Sequence, residues 1–249
     1  MSELLSVDLA PIDPTVVYAS RNGIIPPKLF AIFTMDTRVC SQEEAADAFE
    51  TVKSFAQNGS PFAMCMCSRF SQSGWGTVQS SENAFGWANK ASAAGFAPGH
   101  YELGICYEAG IGVGRDMEQA LRCWVLASDA GFGFAALHLA IIHHSGKPGF
   151  PDNALALKWA MRAYDLNEPM APLELARWFE EGEGVARDEG MALMWYERAS
   201  KLGNFLASSR LSLAYGFGDL GLGKDNELAA KYQALSLAQT QSDLKVPTL

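Results

Sequence analysis

A fixed spacing constrains this chain more than any other feature. Ala48, Ala84, Ala120, Ala156 and Ala192 stand 36 residues apart. Gly59, Gly95, Gly131, Asn167 and Gly203 keep the same interval, eleven residues behind each Ala. Gly74, Gly110, Gly146, Gly182 and Gly218 form a third column. Leu103, Leu139, Leu175 and Leu211 form a fourth, and Tyr107, His143, Phe179 and Tyr215 a fifth. Self-similarity at such a period marks supersecondary units that bury their apolar faces only against one another.

Each unit reads as two helices. In AFGWANKASAAG, from Ala84, the apolar residues Ala84, Phe85, Trp87, Ala88, Ala91 and Ala94 fall on one wide helical face. Gly95 follows where a left-handed residue closes a helix, and Asn167 is the usual substitute for glycine there. Pro98 suits the first turn of a second helix. That helix spans roughly 98–109, with Tyr101, Leu103, Cys106 and Tyr107, and ends at GIGVG from Gly110. Asp116 is placed to cap the next first helix, and SQEE from Ser41 has the spacing of a capping box.

These residues resemble the Sel1-like repeat (SLR), a relative of the tetratricopeptide repeat. Its pattern is approximately A-x-x-W-x-x-x-A-x-x-x-G, then A-x-x-x-L-G-x-x-Y-x-x-G-x-G-V-x-x-D. AFGWANKASAAG from Ala84 and LGICYEAGIGVGRD from Leu103 match it closely, as do ALMWYERASKLG from Ala192 and EGEGVARD from Glu181. The likeness weakens at HHSGKPGFPD from His143 and at FGDLGLGKD from Phe217, which holds one extra residue before Asp225. One Trp position reads Cys123, with Trp124 a step beyond. The resemblance implies an all-α, right-handed α-solenoid of helix-turn-helix units whose first helices line the concave side. It also implies a non-enzymatic module that binds another protein. Bacterial members serve as adaptors in signalling, envelope and secretion systems, or as immunity proteins against a toxin.

On this reading residues 1–11 are an N-terminal segment and 12–47 a degenerate first repeat. In that repeat Asp13 is a candidate cap, and Gly23 and Pro26 fall in the columns of Gly95 and Pro98. Repeats follow at 48–83, 84–119, 120–155, 156–191 and 192–228. A capping helix at 229–240, with Tyr232 in the Trp column, and a loose tail at 241–249 complete the chain.

Composition narrows the function. A net charge of −9 disfavours nucleic acid, whose binding rests on phosphate neutralisation, so an RNA-binding helical repeat is a minor alternative. A second alternative is the β-lactam-binding hydrolase branch of the family, which needs cysteines paired within each repeat. Cys40, Cys65, Cys67, Cys106 and Cys123 are odd in number and do not repeat, and read instead as small buried residues in a reducing compartment. No stretch of about 18 apolar residues occurs and no basic leader precedes an apolar run, so the expected location is cytoplasmic. GIGVG from Gly110 lacks the preceding strand of a dinucleotide fingerprint and reads as a turn. His143 takes the place of core aromatics, and Glu180, Glu181 and Glu183 read as a solvated acidic loop. No catalytic residue, metal or cofactor is expected.

The candidate partner-binding residues are the outward positions of the first helices: Lys90, Arg122, Asp129, Lys158, Arg162, Asp165, Glu197, Arg198 and Lys201. With Lys53 and Glu50 they give seven cations against four carboxylates. Acids such as Glu102, Glu108, Glu118, Glu174, Glu180 and Glu181 fall elsewhere. The expectation is a mildly basic inner face on an acidic body, suited to an acidic protein segment or a cognate toxin or effector. The Trp positions are expected to pack rather than to contact a partner.

Overall fold

A computed structural model describes residues 14–25, 29, 32, 40–147, 149 and 151–243. Among these, twelve helices are delimited and no strand occurs. They are α1 (Pro14–Arg21), α2 (Gln42–Gln57), α3 (Pro61–Ser73), α4 (Ser81–Ala93), α5 (Ala97–Ala109) and α6 (Met117–Asp129). Then come α7 (Gly133–Ser145), α8 (Asn153–Asp165), α9 (Ala171–Glu181), α10 (Glu189–Lys201), α11 (Phe205–Phe217) and α12 (Asn226–Asp243). The chain is an α-solenoid of helical hairpins. It divides into two compact units, Ile12–Ala136 and the stretch beginning at Leu137.

The caps follow the periodic residues. Side chains of Ser41, Ser80, Asp116, Asp152 and Asp188 each accept from the third backbone N–H of a first helix. Ser41 and Glu44 complete the expected capping box. Each first helix closes alike. Around Gly95 (φ 71°), the Gly95 N–H donates to Ser92 and the Phe96 N–H to Ala91, a Schellman pair. Asn167 takes the same left-handed turn at φ 58°, donating to Tyr164 while Glu168 donates to Ala163. Helix α1 ends with the same turn at Gly23. Asp13 and most of the expected helix after Pro26 lie outside the described residues.

The G-x-G loops serve packing. A Cβ on Gly112 would lie 2.2 Å from the Ser81 carbonyl oxygen, and one on Gly76 2.1 Å from that of Ala45. The second glycine therefore lets the loop close on the start of the preceding first helix. The extra residue before Asp225 is absorbed by Leu220, buried and left-handed at φ 55°.

In the first unit, Phe49, Val52, Phe62, Cys65, Met66 and Cys67 build a core with Ala19 and Leu29. In the second, Leu173, Leu175, Trp178, Trp195, Tyr196 and Leu211 do so. Second helices pack more extensively on the first helix that follows than on the one before: α3 on α4, α5 on α6, α9 on α10 and α11 on α12. Helix α12 is longer than the sequence suggested. It is fastened through Gln239, which accepts from Ser208 Oγ at 2.6 Å and donates to the Ser200 carbonyl at 2.8 Å. Residues 244–249 lie outside the described residues.

Candidate functional site

The outward side chains of the first helices stand where the spacing placed them. In the first unit Lys90, Arg122 and Asp129 are exposed. In the second unit Lys158, Arg162, Asp165 and Lys201 are exposed, and Glu197 and Arg198 half-buried. Their electrostatics are more local than a count of charges suggests. Arg122 pairs with Glu118 at 2.5 Å on its own helix, and Lys53 with Glu50 at 2.8 Å. Such exposed pairs contribute little stability, yet they reduce the field each cation presents.

Three cations lie on aromatic rings among the described residues, the loosest being Lys53 Nζ at 5.7 Å from the Phe49 ring centroid. Lys90 Nζ sits 4.4 Å from the Trp87 ring centroid. The Arg198 guanidinium sits 4.5 Å from that of Trp195 and 5.6 Å from that of Tyr164, and those two rings meet edge-on at 5.1 Å. A cation over an aromatic face is held by the ring quadrupole without losing its charge to a carboxylate. The Trp positions are also less uniform than expected. Trp195 is buried, whereas Trp87 and Trp159 are only half-buried and form part of the accessible face. Beside them Ala88 and Ala160 are buried, and beside Trp195 so is Tyr196.

Where Cys123 replaces Trp, the displaced Trp124 fills that Ala slot and is fully buried. It fits because the facing residue is Gly104, where a Cβ would lie 2.5 Å from Trp124 Nε1. Trp124 Nε1 donates to the Tyr101 carbonyl at 3.3 Å.

The acidic body needs correction. Glu102 is not a surface charge: it is 3% exposed and accepts from Arg69 Nε at 2.8 Å. Glu180 is held by Arg210 Nε at 2.9 Å and by the Tyr196 hydroxyl at 2.6 Å. Both carboxylates lie between neighbouring second helices, where a buried charge needs a partner. The spacing could not reveal this, since neither pair recurs with the period.

No cluster of three or more potential metal ligands occurs among the described residues. His144 stacks on Trp178 at 4.6 Å and contacts Glu183 Oε2 at 3.2 Å, so Glu183 is not simply solvated. His143 is half-buried, and burial lowers its pKa. Burial also pushes the Cys67 and Cys106 thiols up to about 12, far from a reactive thiolate. All five cysteines are free. No helix among the described residues is long and apolar enough to cross a membrane.

Hairpins of this period, capped by Schellman turns and closed by G-x-G loops, define a helical-repeat protein. A family model of the Sel1 repeat matches residues 61–96, 97–132, 133–168, 169–204 and 206–232, and the chain belongs to that family. The matched segments count the same period from the second helix of each pair. No curated protein matches the chain. Among solved structures, a Sel1 repeat protein from Oxalobacter formigenes is 22% identical at a TM-score of 0.64, over 79% of this chain and 81% of that one. A protective antigen of uropathogenic Escherichia coli with an SLR fold is 28% identical at a TM-score of 0.65, over 76% of this chain but 40% of its own. An immunity protein from Pseudomonas aeruginosa is 19% identical at a TM-score of 0.59, over 95% of this chain and 86% of that one. Sel1 repeats are a protein-interaction scaffold.

Proposed function

We propose that the chain is a non-enzymatic module that binds an acidic segment of another protein on the outward faces of its first helices. The observation that carries this is the cation–aromatic arrangement. In the second unit, Lys158, Arg162, Arg198 and Lys201 outnumber Asp165 and Glu197, with Arg198 seated on Trp195 and Tyr164. In the first unit, Lys90 on Trp87 plays the same part beside Arg122 and Asp129. Cations exposed on a rigid helical frame steer an acidic partner and fix its register. By resemblance this is the concave side of the array. The likeness to an immunity protein makes a cognate toxin or effector one form the partner takes in this proposal.

The test is co-purification with the products of neighbouring genes. The wild type is compared with a Lys158→Glu, Arg162→Glu, Arg198→Glu variant whose helicity and melting are unchanged. Loss of the partner from the variant supports the reading. Equal capture by both proteins refutes it.

A further inference from the structure

The second helices allow a comparison within the chain. Three periods separate α3 and α5 from α9 and α11, so Phe62, Met66, Arg69, Pro98 and Glu102 correspond to Met170, Glu174, Arg177, Leu206 and Arg210. In the first unit this surface is covered. Phe62 and Met66 are 0% and 2% exposed, and Pro98 and Glu102 are buried. Helix α1 lies against it. Thr15 and Ala19, one turn apart, are both fully buried, and Ala19 shares a core cluster with Phe62 and Met66. Arg69, while paired to Glu102, donates through Nη2 to Thr15 Oγ1 at 3.0 Å. Tyr18 completes the seat against Phe96 and Phe132, with centroids at 5.9 and 5.5 Å.

In the second unit the same rows are less covered. Met170 and Leu206 are 38% and 49% exposed, and Glu174 and Arg210 are half-buried. Between α9 and α11 lies a depression of about 440 Å³, lined by Leu173, Arg177, Glu180, Glu181, Tyr196, Leu206 and Arg210. Its floor again carries an ion pair between second helices, here Glu180 with Arg210, which also meets Asp219 at 2.5 Å. One exchange matters. Arg177 stands where Arg69 stands, but the carboxylate that faces Arg69 is replaced by Arg210. Arg177 reaches Glu174 of its own helix at 3.6 Å and is half exposed. The groove thus repeats the form of the α1 seat, leaves its apolar rim uncovered, and turns a guanidinium toward any occupant.

We propose that the α9–α11 groove docks a short helix of a partner protein. That helix presents two small side chains one turn apart to the floor, as Thr15 and Ala19 do, and a hydroxyl oxygen to Arg177. Helix α1 on the first unit is the precedent for the fit. Arg177 is half exposed and reaches Glu174 only at 3.6 Å, which leaves its guanidinium able to donate as Arg69 does to Thr15. This surface is separate from the first-helix faces.

The probe is a fluorescent peptide with the sequence of residues 12–25, and a second peptide carrying T15V, each titrated against the full chain by anisotropy. Saturable binding is expected, weaker for the T15V peptide. Leu206→Asp and Arg177→Ala should each weaken it at least tenfold without shifting the melting temperature. The Lys158→Glu, Arg162→Glu, Arg198→Glu variant should bind both peptides as the wild type does, which separates this surface from the first-helix faces. Absence of saturable binding overturns the proposal. So does equal binding by Leu206→Asp, which would place the peptide on the α3–α5 surface. A concentration-dependent dimer abolished by Leu206→Asp would assign the groove to a second copy and overturn the partner reading.

Discussion

Gly86 in α4 and Gly104 in α5 are both interior helical glycines, and alanine at each should move stability in opposite directions. Alanine gains roughly 0.5–1 kcal/mol over glycine in a helix interior, because the unfolded chain loses less backbone freedom on folding. A Cβ on Gly86 meets nothing within 4 Å, so Gly86→Ala should realise that gain. A Cβ on Gly104 would lie 2.5 Å from Trp124 Nε1 and 2.7 Å from Cδ1. Trp124 has no room to yield: it is 0% exposed and tied to the Tyr101 carbonyl. Overpacking of this kind costs about 1–3 kcal/mol, and the 2.5 Å approach to a rigid, buried indole puts Gly104 at the upper end, which leaves a net loss of about 2 kcal/mol after the helix gain. For a chain of this size 1 kcal/mol corresponds to about 2–4 °C. Thermal melting followed by circular dichroism should therefore show Gly86→Ala a few degrees above the wild type and Gly104→Ala several degrees below. In a Trp124→Ala background, itself down by about 3–5 kcal/mol, Gly104→Ala should cost nothing further. A rise in midpoint for Gly104→Ala, or an equal loss with and without Trp124, would refute the fit between these residues.

Three further outcomes follow from the packing. Arg69→Met should lower stability by about 2–4 kcal/mol by leaving Glu102 buried without its cation, and adding Glu102→Gln should recover part of it, both read from melting midpoints. Asn167→Val should cost about 1–2 kcal/mol in the same assay because a β-branched residue is forced into the left-handed turn, while Asn167→Gly should be neutral or better. Burial, with a smaller contribution from Lys147, lowers the His138 pKa to about 4, against about 6.5 in the unfolded chain. The unfolded state takes up that proton first, so His138 costs no stability above pH 6.5 and progressively more as pH falls towards 4. His138→Leu should therefore shrink the drop in melting temperature between pH 7.5 and pH 5.

The hairpins were legible because their markers are local. Ser41, Asp116, Gly95 and Asn167 act within a few residues of where they stand, and a fixed period repeats the evidence. The exposed positions of Lys90, Lys158 and Arg162 followed from helical geometry alone. Harder to see was which charges are spent inside the protein. Glu102 and Glu180 read as surface acids because their partners, Arg69 and Arg210, sit about one repeat away at positions that do not recur. The α9–α11 groove left one trace: α11 carries Leu206, Leu213 and Phe217 at exposed positions beside Ser209 and Arg210. Spacing cannot tell a covered apolar face from an open one.

The sequence by itself determined the repeat, the caps and turns of each helix, and the faces the first helices present, because backbone conformation and helical periodicity are set by neighbours in the chain. Only the tertiary structure decided that Trp124 trades places with an alanine against Gly104, that Glu102 lies within the core, and that α1 seats on one pair of second helices while the matching pair stays open. Each of these depends on which surfaces meet after folding. Such pairings join residues far apart in the chain, and a period that specifies every unit alike leaves the exceptions to packing.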